Sequence, residues 1–190
     1  GFALAHAAHQ AGASVTLVAG PVGLATPYGV KRIDVRSALD MHAAVMSQLE
    51  PADVFIATAA VADWRPANAA LEKIKKESSG QMPAMVWTEN PDILALAAGS
   101  ARALNSELFC VGFAAESHDL KTHAQAKRLR KQVPLLVGNI GADTFGADDN
   151  ALLLVDEHGA VEWPKDSKLA LARKLVAEIA ARLPAFRKSV

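Results

Sequence analysis

The chain has 190 residues, 51% of them hydrophobic, which is enough for one sizeable core and too few for two ordinary ones. Its 20 basic and 20 acidic side chains balance, so the sequence has no overall positive field to hold nucleic acid or an anionic membrane, and any anion site must be local. No apolar run approaches the roughly 20 residues that span a bilayer, and no charged leader precedes an apolar segment.

The first half of the chain alternates between predicted helices and strands. Small, helix-compatible residues run from 2 to 12, and a β-rich run follows at 14–19. A short edge strand is expected at 29–35, and apolar residues then recur at helical spacing from 39 to 49. The nearly continuous apolar run at 53–60 is typical of a strand covered on both faces, so we expect it at the centre of a parallel sheet.

In the second half, Asn90 is the predicted N-cap of a helix that runs to about Leu104, with Pro91 at its first position. Buried strands are expected at 108–114 and 134–139, with an amphipathic helix at 117–132 between them. A hairpin at 151–163 and a final helix at 165–183 complete the pattern. The alternation predicts an α/β fold with a Rossmann-like, doubly wound, mostly parallel sheet and a C-terminal antiparallel hairpin.

The single cysteine, Cys110, lies inside one of the predicted buried strands and has no partner for an internal disulfide. Such a cysteine is typical of a reducing compartment, and its expected role is that of a small buried hydrophobe. We therefore expect a cytoplasmic protein.

Several familiar site patterns are missing from the sequence. Neither the Gly-x-Gly-x-x-Gly dinucleotide motif nor the phosphate-binding Gly-Lys-Ser/Thr loop occurs. The only tyrosine, Tyr28, is followed four residues later by Arg32, so the Tyr-x-x-x-Lys pair of short-chain dehydrogenases is absent. There is also no Gly-x-Ser-x-Gly nucleophile elbow and no His-Glu-x-x-His zinc motif.

Charged residues cluster where a Rossmann-like sheet binds its ligands. Asp63 follows the apolar run at 53–60, and the segment 73–76 contributes three lysines. Lys127 and Lys131 lie four residues apart on the predicted helix, opposite the apolar Ala126, Leu129 and Val133. Each group alone is explained by a solvated loop or helix face. Together with the helix N-termini predicted at Asn90 and Ser117, they favour a phosphate-rich ligand.

Five further motifs follow one another along the chain: Ala59-Ala60-Val61-Ala62-Asp63, Lys73-Ile74-Lys75-Lys76, Asn90-Pro91-Asp92-Ile93-Leu94, Val111-Gly112-Phe113-Ala114-Ala115-Glu116 and Phe145-Gly146-x-Asp148-Asp149-Asn150. Bacterial phosphopantothenate-cysteine ligases show these motifs in the same order, and further similarity extends over nearly the whole chain. The chain therefore resembles phosphopantothenoylcysteine synthetase, the C-terminal domain of the bifunctional coenzyme A biosynthesis decarboxylase/synthetase.

The resemblance implies a ligase that forms a carbon–nitrogen bond. The family activates the carboxylate of phosphopantothenate with CTP and Mg²⁺, and the amino group of cysteine attacks the resulting acyl-cytidylate to give phosphopantothenoylcysteine. FMN is expected only in the decarboxylase domain, which this sequence does not contain. A homodimer is implied, with the decarboxylase domain as a covalent partner in the full-length protein, and neither nucleic acid nor membrane is expected to bind.

The resemblance also implies particular residues. Lys73 is the implied catalytic residue, contacting the triphosphate and the activated acyl phosphate. Asn139 is an implied substrate contact, although Ile140 stands where the family usually has an acid. The implied nucleotide contacts are Ala57, Thr58, Ala59, Asp63, Lys73, Pro91, Asp92, Ile93, Leu94, Phe113, Lys127 and Lys131.

The family opens with a strand and a Gly-rich, Asn-containing loop that would precede Gly1. Residues 1–190 are therefore expected to form a single synthetase domain without that strand and loop, and to be inactive or badly impaired alone. Two other functions fit the sequence: an NAD(P)-binding reductase of Rossmann type, and a non-catalytic nucleotide-binding module. Titration with CTP against NADPH separates the ligase from the reductase.

Overall fold

A computed structural model describes residues 1–68, 84–104, 106–115, 119–139 and 149–186. Helices and strands alternate along most of this length, as the sequence predicts. The described residues form five helices, α1 (Phe2–Gln10), α2 (Ala38–Met46), α3 (Ile93–Ala103), α4 (Leu120–Lys131) and α5 (Lys168–Phe186). The strands within these ranges are β1 (Thr16–Ala19), β2 (Lys31–Asp34), β3 (Val54–Ala57), β4 (Trp64–Pro66), β5 (Trp87–Glu89), β6 (Phe109–Ala115), β7 (Leu135–Asn139), β8 (Asp149–Asp156) and β9 (Gly159–Ser167).

The main sheet has five strands in the order β3-β6-β7-β8-β9. Strands β3, β6 and β7 are parallel, whereas β8 and β9 form an antiparallel hairpin at the far edge. Strands β1 and β2 form a separate parallel pair, and β4 and β5 form a short antiparallel arm. The predicted Rossmann-like α/β fold with a C-terminal hairpin is thus confirmed.

Helices cover both faces of the main sheet. On one face, Leu94 and Ala98 of α3 and Ala124 of α4 pack against alternate residues of the central strands, including Cys110 and Leu136. On the other face, the strands pack against a second cluster that includes α5, α1 and the hairpin. The alternation along β6 and β7 follows from the two-residue period of a strand, which sends successive side chains to opposite faces. Members of the second cluster include Leu4, Phe109, Val111, Val137, Trp163, Leu171, Leu175 and Ile179.

The position of β3 corrects the sequence prediction. Among the described strands, β3 is an edge strand of the five-stranded sheet, and its residues are only half-buried. Its side chains do pack on both faces, with Val54 and Ile56 on one and Phe55 and Ala57 on the other. A continuous apolar run indicates that both faces of a strand are buried. It does not indicate whether the strand has hydrogen-bonded neighbours on both sides in the plane of the sheet.

The antiparallel arm was not predicted, because its two strands contain only three residues each. Trp64 pairs with Glu89, and Pro66 pairs with Trp87, so these four residues share one face of the arm. That face is exposed, with Trp64 at 54% and Trp87 at 55% of full exposure. Arg65 and Thr88 lie on the opposite, half-buried face.

Cys110 is a buried member of the core, as expected, with 2% exposure. Burial raises the pKa of its thiol to about 11, and the nearby Arg102 charge offsets only part of that shift. Within the described residues, no helix is long and apolar enough to cross a membrane.

Candidate functional site

The candidate residues after β3 lie at the carboxyl end of that strand, the edge at which ligands bind in such sheets. Ala57 is the last residue of β3, and Thr58 and Ala59 follow it directly. The N-terminus of α1 reaches the same point, because a Cβ atom added to Gly1 would lie 2.9 Å from Thr58 Oγ1. The backbone of 57–59 is therefore close to the start of α1.

The N-terminus of α3 contributes a second part of this edge. The N-cap is Asp92, whose Oδ1 accepts a hydrogen bond from the Ala95 amide at 3.1 Å. The prediction that Asn90 caps this helix is therefore wrong, and Pro91 lies before the cap. An acidic cap satisfies a backbone donor and interacts favourably with the positive end of the helix dipole, which explains why the helix begins two residues later than predicted.

Asn90 instead ties the loop that carries Asp63 to the start of α3. Its backbone N–H donates to the Asp63 carbonyl at 2.8 Å, and its side-chain Nδ2 donates to the Ala62 carbonyl at 2.8 Å. Its Oδ1 accepts from Arg65 Nη1 at 3.1 Å, and the same guanidinium donates to the Glu89 carbonyl. Residues that are 28 positions apart in the sequence are thereby held side by side.

Lys131, at the end of α4, completes a cluster with these carboxylates. Its ammonium forms an ion pair with Asp92 Oδ2, and only 14% of its side chain is exposed. Burial lowers the pKa of Lys131, and the negative charge of Asp63 opposes that shift. The structure therefore brings together three of the predicted nucleotide contacts, Asp63, Asp92 and Lys131.

The orientation of α4 differs from the sequence prediction. Leu129, assigned to the apolar face, is 59% exposed, whereas Lys127 and Lys131 are half-buried and Ala124 is fully buried. The long stem of a lysine can pack against apolar surface while its ammonium reaches a carboxylate, and Asp92 supplies that carboxylate here. The helix start predicted at Ser117 lies outside the described residues, and α4 begins at Leu120.

Other predicted contacts are present at the edge with their side chains turned away. Ile93 and Leu94 are each only 8% exposed, so their side chains belong to the core and do not face a ligand. Their backbone amides belong to the first turn of α3, which has no intrahelical acceptors for them. Pro91 is half-buried beside them. The ring of Phe113 packs with the cluster on the opposite face of the sheet from Leu94.

Asn139, the predicted substrate contact, is the last residue of β7 and is half-buried. Its Oδ1 accepts a hydrogen bond from Asn150 Nδ2 at 2.9 Å, which fixes the orientation of both amides. The described contacts do not join Asn139 to the Asp63 cluster. Lys73, Lys75 and Lys76 lie outside the described residues, so the predicted catalytic lysine has no structural assignment.

The residues that sequence reasoning missed are Arg65 and the side chain of Asn90. Both lie inside the motifs quoted above or directly after them, but their roles depend on a pairing between two three-residue strands. The only signal in the sequence was an Asn-Pro pair after a short polar segment, which is equally typical of a helix start.

The cluster combines two carboxylates with the ammonium of Lys131 and the guanidinium of Arg65, next to the first-turn amides of α3, which have no intrahelical acceptors. Helix N-termini attract phosphate, and oxygen donors suit sugar hydroxyls or a hard metal ion. The fold and this edge together define a Rossmann-like α/β domain with charged side chains and a helix N-terminus at the carboxyl edge of its sheet.

The model of the family described as "DNA/pantothenate metabolism flavoprotein C-terminal domain" matches residues 1–183. The chain belongs to this family. It is 47% identical over 175 residues to the coenzyme A biosynthesis bifunctional protein CoaBC of Vibrio cholerae, covering 90% of the chain and 43% of that protein. It is 43% identical over 186 residues to CoaBC of Escherichia coli K12, covering 96% of the chain and 45% of that protein.

Solved structures are also similar to this chain. A crystal structure of the C-terminal domain of CoaBC superposes with a TM-score of 0.78 at 30% identity, covering 97% of this chain and 82% of that one. The DNA/pantothenate metabolism flavoprotein from Streptococcus pneumoniae has a TM-score of 0.76 at 17% identity, covering 95% and 86%, and therefore supports the fold alone. The chain spans less than half the length of the curated relatives quoted above.

Proposed function

We propose that the chain supplies the synthetase activity of a bifunctional coenzyme A biosynthesis protein in the cytoplasm. This activity is the CTP-dependent ligation of phosphopantothenate with cysteine. Family membership and similarity to the C-terminal domain of CoaBC support the assignment. The single observation that carries it at the residue level is the cluster of Asp63, Asp92 and Lys131 at the N-terminus of α3.

The proposed reaction has two steps. A carboxylate oxygen of phosphopantothenate attacks the α-phosphorus of CTP, the bond to the β-phosphate oxygen breaks, and pyrophosphate leaves. The cysteine amine then attacks the acyl carbon of the acyl-cytidylate, forming the amide and releasing CMP and a proton. Negative charge builds on phosphoryl oxygens in the first step, so fixed cations and oriented N–H groups lower its barrier.

Both backbone amides and side chains of the described residues contact the nucleotide in this proposal. In our proposal the amides of Ile93 and Leu94 donate to a phosphate group at the α3 N-terminus, and Lys131 adds a charge beside them. Asp63, which is exposed, accepts a hydrogen bond from a ribose hydroxyl or a base amino group. The backbone of 57–59, Phe113 and Lys127 border the nucleotide, and Asn139 contacts the substrate.

The cluster alone does not balance a triphosphate, since two carboxylates offset the charges of Lys131 and Arg65. Further positive charge is therefore required, and we assign it to Lys73, with Lys75 and Lys76 beside it, and to Mg²⁺. Asp63 and Asp92 are the hard oxygen donors that Mg²⁺ accepts, and this ion usually takes one or two carboxylates together with substrate phosphates. When bound, Mg²⁺ would neutralise charge on the phosphates.

We further propose that the chain acts as a homodimer beside a decarboxylase domain, and that FMN belongs to that domain. The exposed face of the arm, formed by Trp64, Pro66 and Trp87, is an apolar surface of the kind that association covers. Light scattering coupled to size-exclusion chromatography measures the mass in solution, and a monomer at all concentrations tested would contradict this part of the proposal.

A chimaera tests the ligase assignment. The segment of E. coli CoaBC that matches this chain over 186 residues is replaced by the chain, and release of pyrophosphate and formation of the amide are measured with CTP, ATP or NADPH. We expect product with CTP and none with NADPH. A folded chimaera that releases no pyrophosphate from CTP, under conditions in which the parent protein does, would overturn the assignment.

Two lysine variants test the proposed roles of Lys73 and Lys131. Lys73→Gln is expected to slow pyrophosphate release by about 100-fold or more, because it removes a cation from the developing charge. Lys131→Gln should slow it by about tenfold or more, since the partner carboxylate Asp92 is left without its counter-ion as well. The matched control is Lys121→Gln, an exposed lysine in the first turn of α4, for which the rate should stay within about twofold. Equal rates for all three variants would remove the lysines from the mechanism.

A further inference from the structure

We infer that Asn90 is a positioning residue that sets the distance between Asp63 and the N-terminus of α3, and that Arg65 fixes the orientation of its amide. The inference rests on the proposed nucleotide site, because it explains how that site is held in shape. Neither residue is among the predicted nucleotide contacts, and neither is required to touch the ligand.

Several hydrogen bonds meet at Asn90. Its backbone N–H and its Nδ2 donate to two consecutive carbonyl groups, those of Asp63 and Ala62, each at 2.8 Å. Two bonds to neighbouring peptide groups fix both the separation and the rotation of that loop. Because Asp92 follows Asn90 by two residues, the same contact places the Asp63 carboxylate relative to the α3 cap and its partner Lys131.

Arg65 determines the direction of the Asn90 side-chain amide. Arg65 Nη1 lies 3.1 Å from Oδ1, and a guanidinium offers only donors, so the oxygen of the amide must face it. The NH₂ group must then face the Ala62 carbonyl, as observed. Arg65 also donates to the Glu89 carbonyl, so one cation holds the side chain of Asn90 and the backbone just before it.

Among the described residues, few other contacts hold the Asp63 loop in place. The cluster lies where β4 begins and β5 ends, and the arm contains three residue pairs. Asp63 and Trp64 are exposed, so little apolar packing holds the loop in place. Hydrogen bonds of this kind contribute little to global stability, about 1 kcal/mol each, but they determine a local geometry when few other contacts are present.

The chemistry distinguishes asparagine from its nearest relatives. In Asn90→Asp an oxygen replaces Nδ2 and faces the Ala62 carbonyl oxygen, which removes the donor and adds a third negative charge beside Asp63 and Asp92. In Asn90→Ala both side-chain bonds are lost without added charge. Arg65→Lys keeps the charge but offers a single donor point in place of the planar fork, so it should retain part of the function.

The test is titration of Mg²⁺-CTP into the full 190-residue chain, followed by intrinsic tryptophan fluorescence or by calorimetry. We expect Kd to rise by about tenfold or more in Asn90→Ala and further in Asn90→Asp, with Arg65→Lys between wild type and Asn90→Ala. The matched control is Asn68→Asp, which adds the same charge at an exposed asparagine just past the arm and should change Kd by less than about threefold.

Amide hydrogen exchange separates positioning from a general loss of stability. In the Asn90 variants, exchange should accelerate in residues 60–66 and 88–96 and stay unchanged in β6 and β7. Faster exchange everywhere, in proportion to the loss of affinity, would identify a merely structural role and overturn the inference. If the wild-type chain binds CTP and the Asn90 variants bind it with the same affinity, the inference about Asn90 is overturned and the proposed site is not. If the wild-type chain does not bind CTP, both the inference and the proposed site are overturned.

Discussion

The interior of the main sheet and its ligand-facing edge are held together by different means. In β6 and β7, nearly every side chain is buried, and both faces are covered by apolar residues of helices or of the hairpin. At the edge, Asp63, Asn90 and Asp92 are exposed or half-buried and are joined by hydrogen bonds and one ion pair. The interior therefore provides most of the stability of the domain, whereas the edge provides the geometry of the candidate site. Substitutions in one region should change stability, and substitutions in the other should change ligand affinity.

The largest expected effect is in the interior. Leu136 is completely buried, so Leu136→Ala should lower the free energy of unfolding by about 2 to 5 kcal/mol through lost contacts and a cavity. Urea denaturation measures this loss, and the CTP affinity of the folded protein should stay near the wild-type value. The control Leu129→Ala, at a leucine that is 59% exposed, should cost less than about 0.5 kcal/mol. Similar losses of unfolding free energy at Leu136 and Leu129 would contradict the view that the interior provides most of the stability.

An intermediate effect is expected where the two regions meet, at Gly112 of β6. A Cβ atom there would lie 2.7 Å from methyl groups of both Leu136 and Leu94, so these side chains must move. Gly112→Ala should cost about 1 to 3 kcal/mol, and because Leu94 belongs to the first turn of α3, it should also weaken CTP binding. Gly23→Ala, with no atom within 4 Å of the new methyl group, is the control. Lost stability with unchanged affinity would show that the edge tolerates strain from the interior.

The smallest effect concerns an ion pair remote from the site. Burial would raise the pKa of Asp156, but hydrogen bonds and charges from Arg182, together with the amide of His158, lower it overall from the usual 3.8. The stability that this pair contributes is therefore present above pH 3.8 and is lost as the pH falls through the lower folded pKa. Arg182→Gln should cost about 1 kcal/mol at neutral pH and progressively less in acid.

Thermal melts at pH 7, 4 and 2.5 measure that dependence, with Arg130→Gln at an exposed arginine as the control. A difference between Arg182→Gln and wild type that stays constant over this range would exclude the ion pair as its source. In either case the CTP affinity at neutral pH should not change, because Asp156 and Arg182 join β8 to α5 at a distance from the α3 N-terminus in the sequence and in the fold.

Periodicity was sufficient to predict the interior from the sequence. Strands β6 and β7, the hairpin and all five helices lie where the apolar pattern indicates, because burial repeats every two residues in a strand and every three to four in a helix. The same reasoning placed Asp63 beyond the end of β3. The motifs of the family then brought Asp92 and Lys131 into the same site, and the structure brings these three residues together.

The features that the sequence did not predict depend on contacts that produce no periodic pattern in the sequence. The edge position of β3 is set by hydrogen bonding in the plane of the sheet, and the arm is too short to show an alternation. The half-buried position of Lys131 depends on a carboxylate 39 residues away, so its own helix suggested a solvent-facing residue. Asn90 satisfied the sequence rules for a helix cap, but Asp92 supplied a better-placed oxygen and left Asn90 to bind the Asp63 loop.

The high pKa of Cys110 has a practical consequence. With a thiol pKa of about 11, fewer than about one molecule in a thousand carries the reactive thiolate at neutral pH, and the sulfur is also buried. A cysteine introduced on the exposed surface would react with maleimide far faster than the native one. A dye at Asn68, or a pair of spin labels at Asn68 and Leu129, could therefore be attached without first removing Cys110, and would report distances across the edge during titration.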